Sequence, residues 1–242
     1  AGFTGQAPEN QRSEDRSRKT LNRKTRRMLR RALSIITPMS DYYIKHFQAY
    51  HQKTFFIDPS SFLEPLKNLL EPGCRILDIG CGSGRDMLWL KNHGFSVSGF
   101  ERSAGSAELA RQNTGCDIIE GDFEDVDFAE LPSDAVLLAG SLVHVPHDKM
   151  PAVFKHVTTG LRPGGKVLIT LKQGKGKTSD DHGRVFYYWQ ESDLEAIFTE
   201  LGFLVLNFSK QVSKVNAHDV WLGFVLASEM LSEMKADILT QS

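Results

Sequence analysis

Ile76-Leu77-Asp78-Ile79-Gly80-Cys81-Gly82-Ser83-Gly84-Arg85-Asp86 passes from a short apolar strand, through a glycine-rich turn, into a helix. Glycine at three alternating positions removes every Cβ from one side of the turn. A ligand there can approach main-chain N–H groups closely. Glu101 closes the next apolar run, Ser96–Phe100, at the spacing that suits a carboxylate gripping two ribose hydroxyls. The segment predicts a site for a nucleoside-bearing ligand.

Working outward, strands and helices alternate. Strands are predicted at 75–79, 96–100, 117–120, 135–139, 166–171, 204–208 and 220–227, and helices at 85–93, 103–113, 149–160 and 191–201. The connection 209–219 is too short for a crossover helix, so the last two strands must pair antiparallel at or near a sheet edge. The expected fold is α/β, a doubly wound, mostly parallel seven-stranded sheet with one antiparallel strand. Ligands of such sheets sit beyond the carboxyl ends of the strands, where the first glycine turn lies.

Ahead of the sheet, 40–52 reads as a helix carrying Tyr42, Tyr43, Phe47 and Tyr50, and a second helix runs through Phe62, Leu63, Leu66 and Leu70 to Pro72-Gly73. The predicted organisation is a basic leader, 1–38, and one domain, 39–242, whose residues 39–72 form a helical lid. The leader holds ten basic residues against three acids. With 29 and 30 in the whole chain, 19 bases face 27 acids in the remainder. Residues 20–36 have the pattern of a basic amphipathic helix. Such an arm suits RNA phosphates or an anionic membrane surface, and an Arg-rich segment with some Ser also has the look of a transit peptide. The acidic body favours a small-molecule partner, with weak nucleic-acid contact through the leader as the alternative.

The three cysteines, Cys74, Cys81 and Cys116, have neither metal spacing nor a paired framework. Free thiols in a reducing, cytoplasmic setting are expected. No apolar run approaches the roughly 20 residues needed to span a bilayer. Carboxylates do not cluster near the fourth strand, where only Asp148 stands, so no metal is expected.

Two further features join the glycine turn and Glu101: Gly121-Asp122-Phe123 after the third strand and the Leu161-Arg162-Pro163-Gly164-Gly165 turn before the fifth. With these four aligned, the chain from Phe62 to Ala227 resembles the class I S-adenosylmethionine-dependent methyltransferases, a Rossmann-like fold. The Gly80–Asp86 string and Ser141-Leu142-Val143-His144-Val145-Pro146 resemble most the small-molecule, tellurite-resistance-like branch.

The resemblance implies an enzyme that transfers methyl from S-adenosylmethionine by in-line displacement. It implies that Asp78, Gly80, Cys81, Gly82, Gly84 and Arg85 line the methionine and ribose end of the cofactor, and that Glu101 takes the ribose hydroxyls. Asp122 would accept from the adenine amino group with the Phe123 backbone N–H or ring beside it, Arg102 would belong to the same cofactor site, Ser141 would face the sulfonium, and Tyr43 and Tyr50 would close over the cofactor from the lid. An acidic rim tolerates a sulfonium cation, whereas a pyrophosphate prefers a bare helix N-terminus and basic help. The dinucleotide fingerprint wants Gly or Ala at its sixth position, where Arg85 stands.

A sulfonium is a good leaving group, so a base matters only when the nucleophile arrives protonated. His144, after the fourth strand, is the candidate base. Tyr187, in Arg184-Val185-Phe186-Tyr187-Tyr188-Trp189, is the second catalytic candidate, and His147 is expected to be solvated. Neither an Asn/Asp-Pro-Pro-Tyr tetrad nor a Pro-Cys pair follows the fourth strand, which argues against adenine-amine and C5-cytosine methylation. Residues 172–183 are expected to form a mobile loop at the pocket mouth.

Overall fold

The computed structural model describes residues 41–229. The basic leader and its amphipathic helix lie outside the described residues. The lid consists of α1 (Tyr42–Lys45), α2 (Phe47–Thr54) and α3 (Ser60–Lys67). The helix expected over 40–52 is broken at His46, whose φ of −118° leaves the helical region.

The sheet is built from β1 (Arg75–Ile79), β2 (Ser96–Glu101), β3 (Ile118–Glu120), β4 (Ser133–Ala139), β5 (Leu161–Lys172), β8 (Phe203–Val212) and β9 (Val220–Ser228). Their order is β3-β2-β1-β4-β5-β9-β8. The first five are parallel, and β9 runs antiparallel to both β5 and β8. The sheet therefore matches the seven-stranded expectation, with the short 209–219 connection making β8 an edge strand. Helices α4 (Arg85–Asn92), α5 (Ala104–Thr114), α6 (Met150–Val157) and α7 (Glu191–Glu200) complete the frame.

Alternation along β1 sorts the core. Leu77 and Ile79 face one layer, with Phe154 of α6 and Phe198 of α7, both fully buried. Ile76 faces the other, with Leu63 and Leu66 of α3 and Leu90 of α4. Asp78 shares the face of Ile76, which aims its carboxylate at the start of α4. The strand order reverses between β1 and β4, so the crevice at their carboxyl ends is the switch point.

Two expectations give way. Residues 172–183 are no simple loop: β6 (Lys177–Ser179) pairs antiparallel with β7 (Val185–Tyr187) as a separate hairpin. The Leu161–Gly165 turn is absorbed into β5, with a register irregularity opposite Ser133.

Candidate active site

Gly80 leaves β1 at φ +76°, and a Cβ there would stand 2.6 Å from the Ser141 Cβ. Only glycine lets the ends of β1 and β4 come this close, and the pinch forms the crevice floor. Asp78 is 2% exposed, and its Oδ2 has no hydrogen-bond partner; the Ser141 Oγ is likewise buried without one. Buried polar atoms left unpaired are costly and point to a ligand. Burial pushes the Asp78 carboxyl well above its ordinary range, and Asp86 and Glu101 push the same way against Arg85.

Glu101, 8% exposed, accepts from the backbone N–H of Gly82 (2.9 Å) and of Ser103 (2.8 Å). Burial raises its pKa while these N–H groups oppose the shift. The carboxylate thus ties the glycine turn to the start of α5, with lone pairs remaining for hydroxyls. Arg85 donates Nε (2.6 Å) and Nη2 (3.0 Å) to Asp86, so its bidentate partner is the neighbouring acid. Arg102 pairs with Asp122 at 3.1 Å. Cys81 is buried, with its Sγ toward Gly99, and burial raises its thiol pKa; only its backbone faces the crevice. The Phe123 ring packs in the main core. Gly82 and Gly84 complete the turn.

The lid closes over this crevice. The His51 Nδ1 lies 2.9 Å from the Ser83 Oγ, the Ser103 Oγ donates to the Tyr43 carbonyl, and the Phe47 ring lies against Gly105. Tyr43 and Tyr50 pack edge to face. Both hydroxyls have raised pKa values, chiefly through burial.

Beyond Arg85 and Asp86 opens a cavity of about 490 Å³, walled by the lid, the β6–β7 hairpin and the turn between β8 and β9. Tyr43 is the wall facing His144. The Nδ1 of His144 bonds the Val185 carbonyl, so that nitrogen carries the proton. The Nε2 is then an acceptor, 3.0 Å from the Tyr43 hydroxyl, which donates to it. Arg184 approaches the Tyr43 oxygen from Nη1 at 3.4 Å and is anchored by Asp180. Burial lowers the His144 pKa, and Arg184 and Lys172 lower it further.

Tyr187 falls outside this group. Along β7, alternation turns Phe186 to the cavity and Tyr187 away; Tyr187 is 9% exposed and meets His147 edge to face. Tyr187 therefore does not line the cavity that Tyr43 faces. His147 is not solvated either: it is half-buried, donates to the Tyr188 carbonyl and packs on Trp189. Sequence reasoning missed Asp86, Asp219 and Trp221 as cavity residues, and it reached Lys172, Asp180 and Arg184 only as members of segments near the pocket mouth. One signal was present for Lys172, a lone charge ending the apolar run Val167–Leu171. Among the described residues no group of three or more side chains is arranged for a metal, and no helix is long and apolar enough to cross a membrane.

Fold and crevice together define a nucleoside-binding Rossmann-like domain with an acidic rim. Residues 76–165 match the family described as a methyltransferase domain. Phosphoethanolamine N-methyltransferase 1 of Zea mays is 32% identical over 127 residues, covering 50% of this chain and 25% of that protein. The matched segments span 21% to 54% of the length of such curated relatives. Two solved structures show the same fold. One is 1,6-didemethyltoxoflavin-N1-methyltransferase of Burkholderia thailandensis with bound 1,6-didemethyltoxoflavin and S-adenosylhomocysteine (TM-score 0.61, 17% identity, 95% of this chain and 93% of that one). The other is magnesium protoporphyrin IX methyltransferase of Synechocystis PCC 6803 with bound S-adenosylmethionine (TM-score 0.58, 16% identity, 78% and 95%). Residues 76–165 are thus similar to the methyltransferase-domain family, and the sheet around them has the fold of the solved S-adenosylmethionine-dependent methyltransferases. The unpartnered Asp78 and Ser141 atoms, and the Gly80 approach a Cβ would fill, fit the cofactor of that family.

Proposed function

We propose that this protein methylates a small-molecule acceptor bound in the cavity between the lid and the β6–β7 hairpin. The observation that carries the reading is Asp78, a buried carboxylate with an unsatisfied oxygen, at the switch point beside that cavity. S-adenosylmethionine, when bound, supplies an electrophilic methyl on a sulfonium. In this reading Asp78, Gly80, Gly82, Gly84 and Ser141 line the methionine and sulfonium end, Glu101 the ribose, and Asp122 with the Phe123 backbone the adenine.

The chain's own residues orient the acceptor, exclude water and move one proton. Tyr43 faces the cavity with its hydroxyl proton already directed at the His144 Nε2. An acceptor O–H or N–H donating to the Tyr43 oxygen loses its proton as the Tyr43 proton passes to His144. Arg184 steadies the charge on the tyrosine oxygen during this transfer, and the Val185 carbonyl holds the imidazolium that results. His144 acts through Tyr43, which explains why it stands behind the cavity wall.

Calorimetry with S-adenosylmethionine is the first test. Tight binding by the wild type, and loss of about tenfold or more in Glu101→Ala, is expected. Unchanged binding in that variant would move the ribose elsewhere. Methyl transfer across an acceptor panel, followed as S-adenosylhomocysteine release, tests catalysis.

A further inference from the structure

The acceptor cavity carries a charge pattern that narrows what it can hold. Its walls supply five cations, Lys53, Arg85, Lys172, Arg184 and Lys214, and four acids, Asp58, Asp86, Asp180 and Asp219. Three of the acids are engaged by a cation: Asp86 by Arg85, Asp219 by Lys172 at 2.7 Å, and Asp180 by Arg184 at 2.6 Å. The fourth, Asp58, accepts from the Ser60 backbone and hydroxyl at the mouth. A cationic acceptor would meet no uncommitted carboxylate there.

Two of the cations converge on one ring. The Lys172 Nζ stands 4.1 Å from the centre of Phe186, and the Arg184 Cζ stands 5.2 Å from it. Lys172 is 9% exposed, at the inner end of β5, with the Trp221 ring on another side at 5.8 Å. Its ammonium has three N–H bonds, and one serves Asp219. Arg184 lies 4.0 Å over Tyr42 as well. Flat aromatic faces and buried cations thus share the same wall. A buried ammonium is expensive to desolvate, and an aromatic ring offsets only part of that cost.

We propose that the acceptor carries an oxyanion, a carboxylate or a phosphate, on a flat apolar body, and that Lys172 and Arg184 receive the oxyanion beside the Phe186 ring. The proposal rests on the methyl-transfer reading and names the substrate class of that site. The anion joins Asp219 on Lys172 rather than replacing it. The apolar body lies along Phe186 and Trp221, which leaves its nucleophilic edge toward Tyr43. With five cations against four acids, the cavity lining leaves one positive charge for an anion to balance.

The test is calorimetry on the full chain saturated with S-adenosylhomocysteine, with 4-hydroxybenzoate and phenyl phosphate as anionic probes. The uncharged 4-hydroxybenzamide and the cationic tyramine are the controls. One anion should bind at least about tenfold more tightly than both controls. That preference should shrink as NaCl rises. Asp219→Asn should tighten the anion several-fold by releasing Lys172 from its competitor, an effect that a merely structural lysine would not produce. Lys172→Met should erase the preference. Because that variant strands Asp219, the double variant Lys172→Met/Asp219→Asn, with a thermal melt, keeps the comparison on folded protein.

Either control binding as well as both anions overturns the proposal. So does the absence of anion binding up to on the order of 10 mM, or a preference that survives the double variant. Which of the two anions binds separates carboxylate from phosphate. Failure of S-adenosylhomocysteine itself to bind would count against the methyl-transfer reading, whereas its binding with indifference to probe charge would count against this inference alone.

Discussion

Asp78 places function and stability in opposition. Its carboxyl has a raised pKa in the folded chain, chiefly through burial and then through Asp86. The unfolded chain ionises it freely near pH 4. Its contribution to stability is therefore complete below that pH and is lost as pH rises through the higher folded value. Asp78→Asn removes the conflict at neutral pH. The variant should be more stable than wild type by about 1–2 kcal/mol in denaturant melts. It should also bind S-adenosylmethionine at least about tenfold more weakly by calorimetry.

His144 has the reverse sign. Its pKa is lowered by burial first, with Arg184 and Lys172 adding to the shift and the Val185 carbonyl and Asp180 opposing it. The stability it contributes is present above the unfolded value of about 6.5 and lost as pH falls through the depressed folded value. Activity on a protonated acceptor should be flat above about pH 7 and fall on the acid side. His144→Gln should lower kcat by about 10²–10³ and abolish the acid limb. At this scale the positions of the glycine turn, Asp78 and Glu101 were legible because the apolar pattern fixes the strand ends they occupy, and His144 was placed only as lying in the loop after β4. The partners of Arg85 and Arg102 were not, since which acid a guanidinium meets depends on rotamers that no spacing encodes.

Among the elements, the lid and the β6–β7 hairpin matter most to the site. The lid lies on α5 where Gly105 offers no side chain, and a Cβ there would meet the Phe47 ring at 2.6–2.7 Å. Gly105 is the second residue of α5, where alanine is at least as good a helix former as glycine. Gly105→Ala should therefore keep or raise the melting temperature while lifting α2 from α5. Limited proteolysis should cut faster between residues 41 and 56, and cofactor release should quicken in stopped flow. The hairpin escaped sequence reasoning because Gly174, Gly176 and Gly183 with Lys177, Asp180 and Asp181 read as solvated loop. Its strands are only three residues each, and their support comes from outside: the Tyr187 N–H donates to the Val143 carbonyl and the Trp189 N–H to the Lys172 carbonyl. The burial of Tyr187 was hidden for the same reason, since the face it takes depends on a strand too short to announce its alternation.

Across the whole molecule, the architecture was almost entirely readable, because parallel strands buried on both faces give dense apolar runs. The aromatic core joins the layers: Phe154 is fully buried and packs against the rings of Phe198 and Phe203. Phe154→Ala should cost about 3–5 kcal/mol in denaturant unfolding. Leu204→Ser, on the edge strand at 60% exposure, should change stability by no more than about 0.5 kcal/mol. The leader's charge and the cavity between lid and hairpin belong to a different kind of problem, since neither is set by periodicity.

Three separate fastenings clip α1 and α2 to the crevice at the glycine turn: His51 to Ser83, Ser103 to the Tyr43 carbonyl, and Phe47 against Gly105. If methyl transfer takes place beneath them, spent donor cannot leave until all three come undone. Turnover would then be metered by departure instead of bond making. Rapid-quench experiments should show a burst of about one methylated product per chain before a slower linear phase, and the Gly105→Ala variant should steepen that second phase.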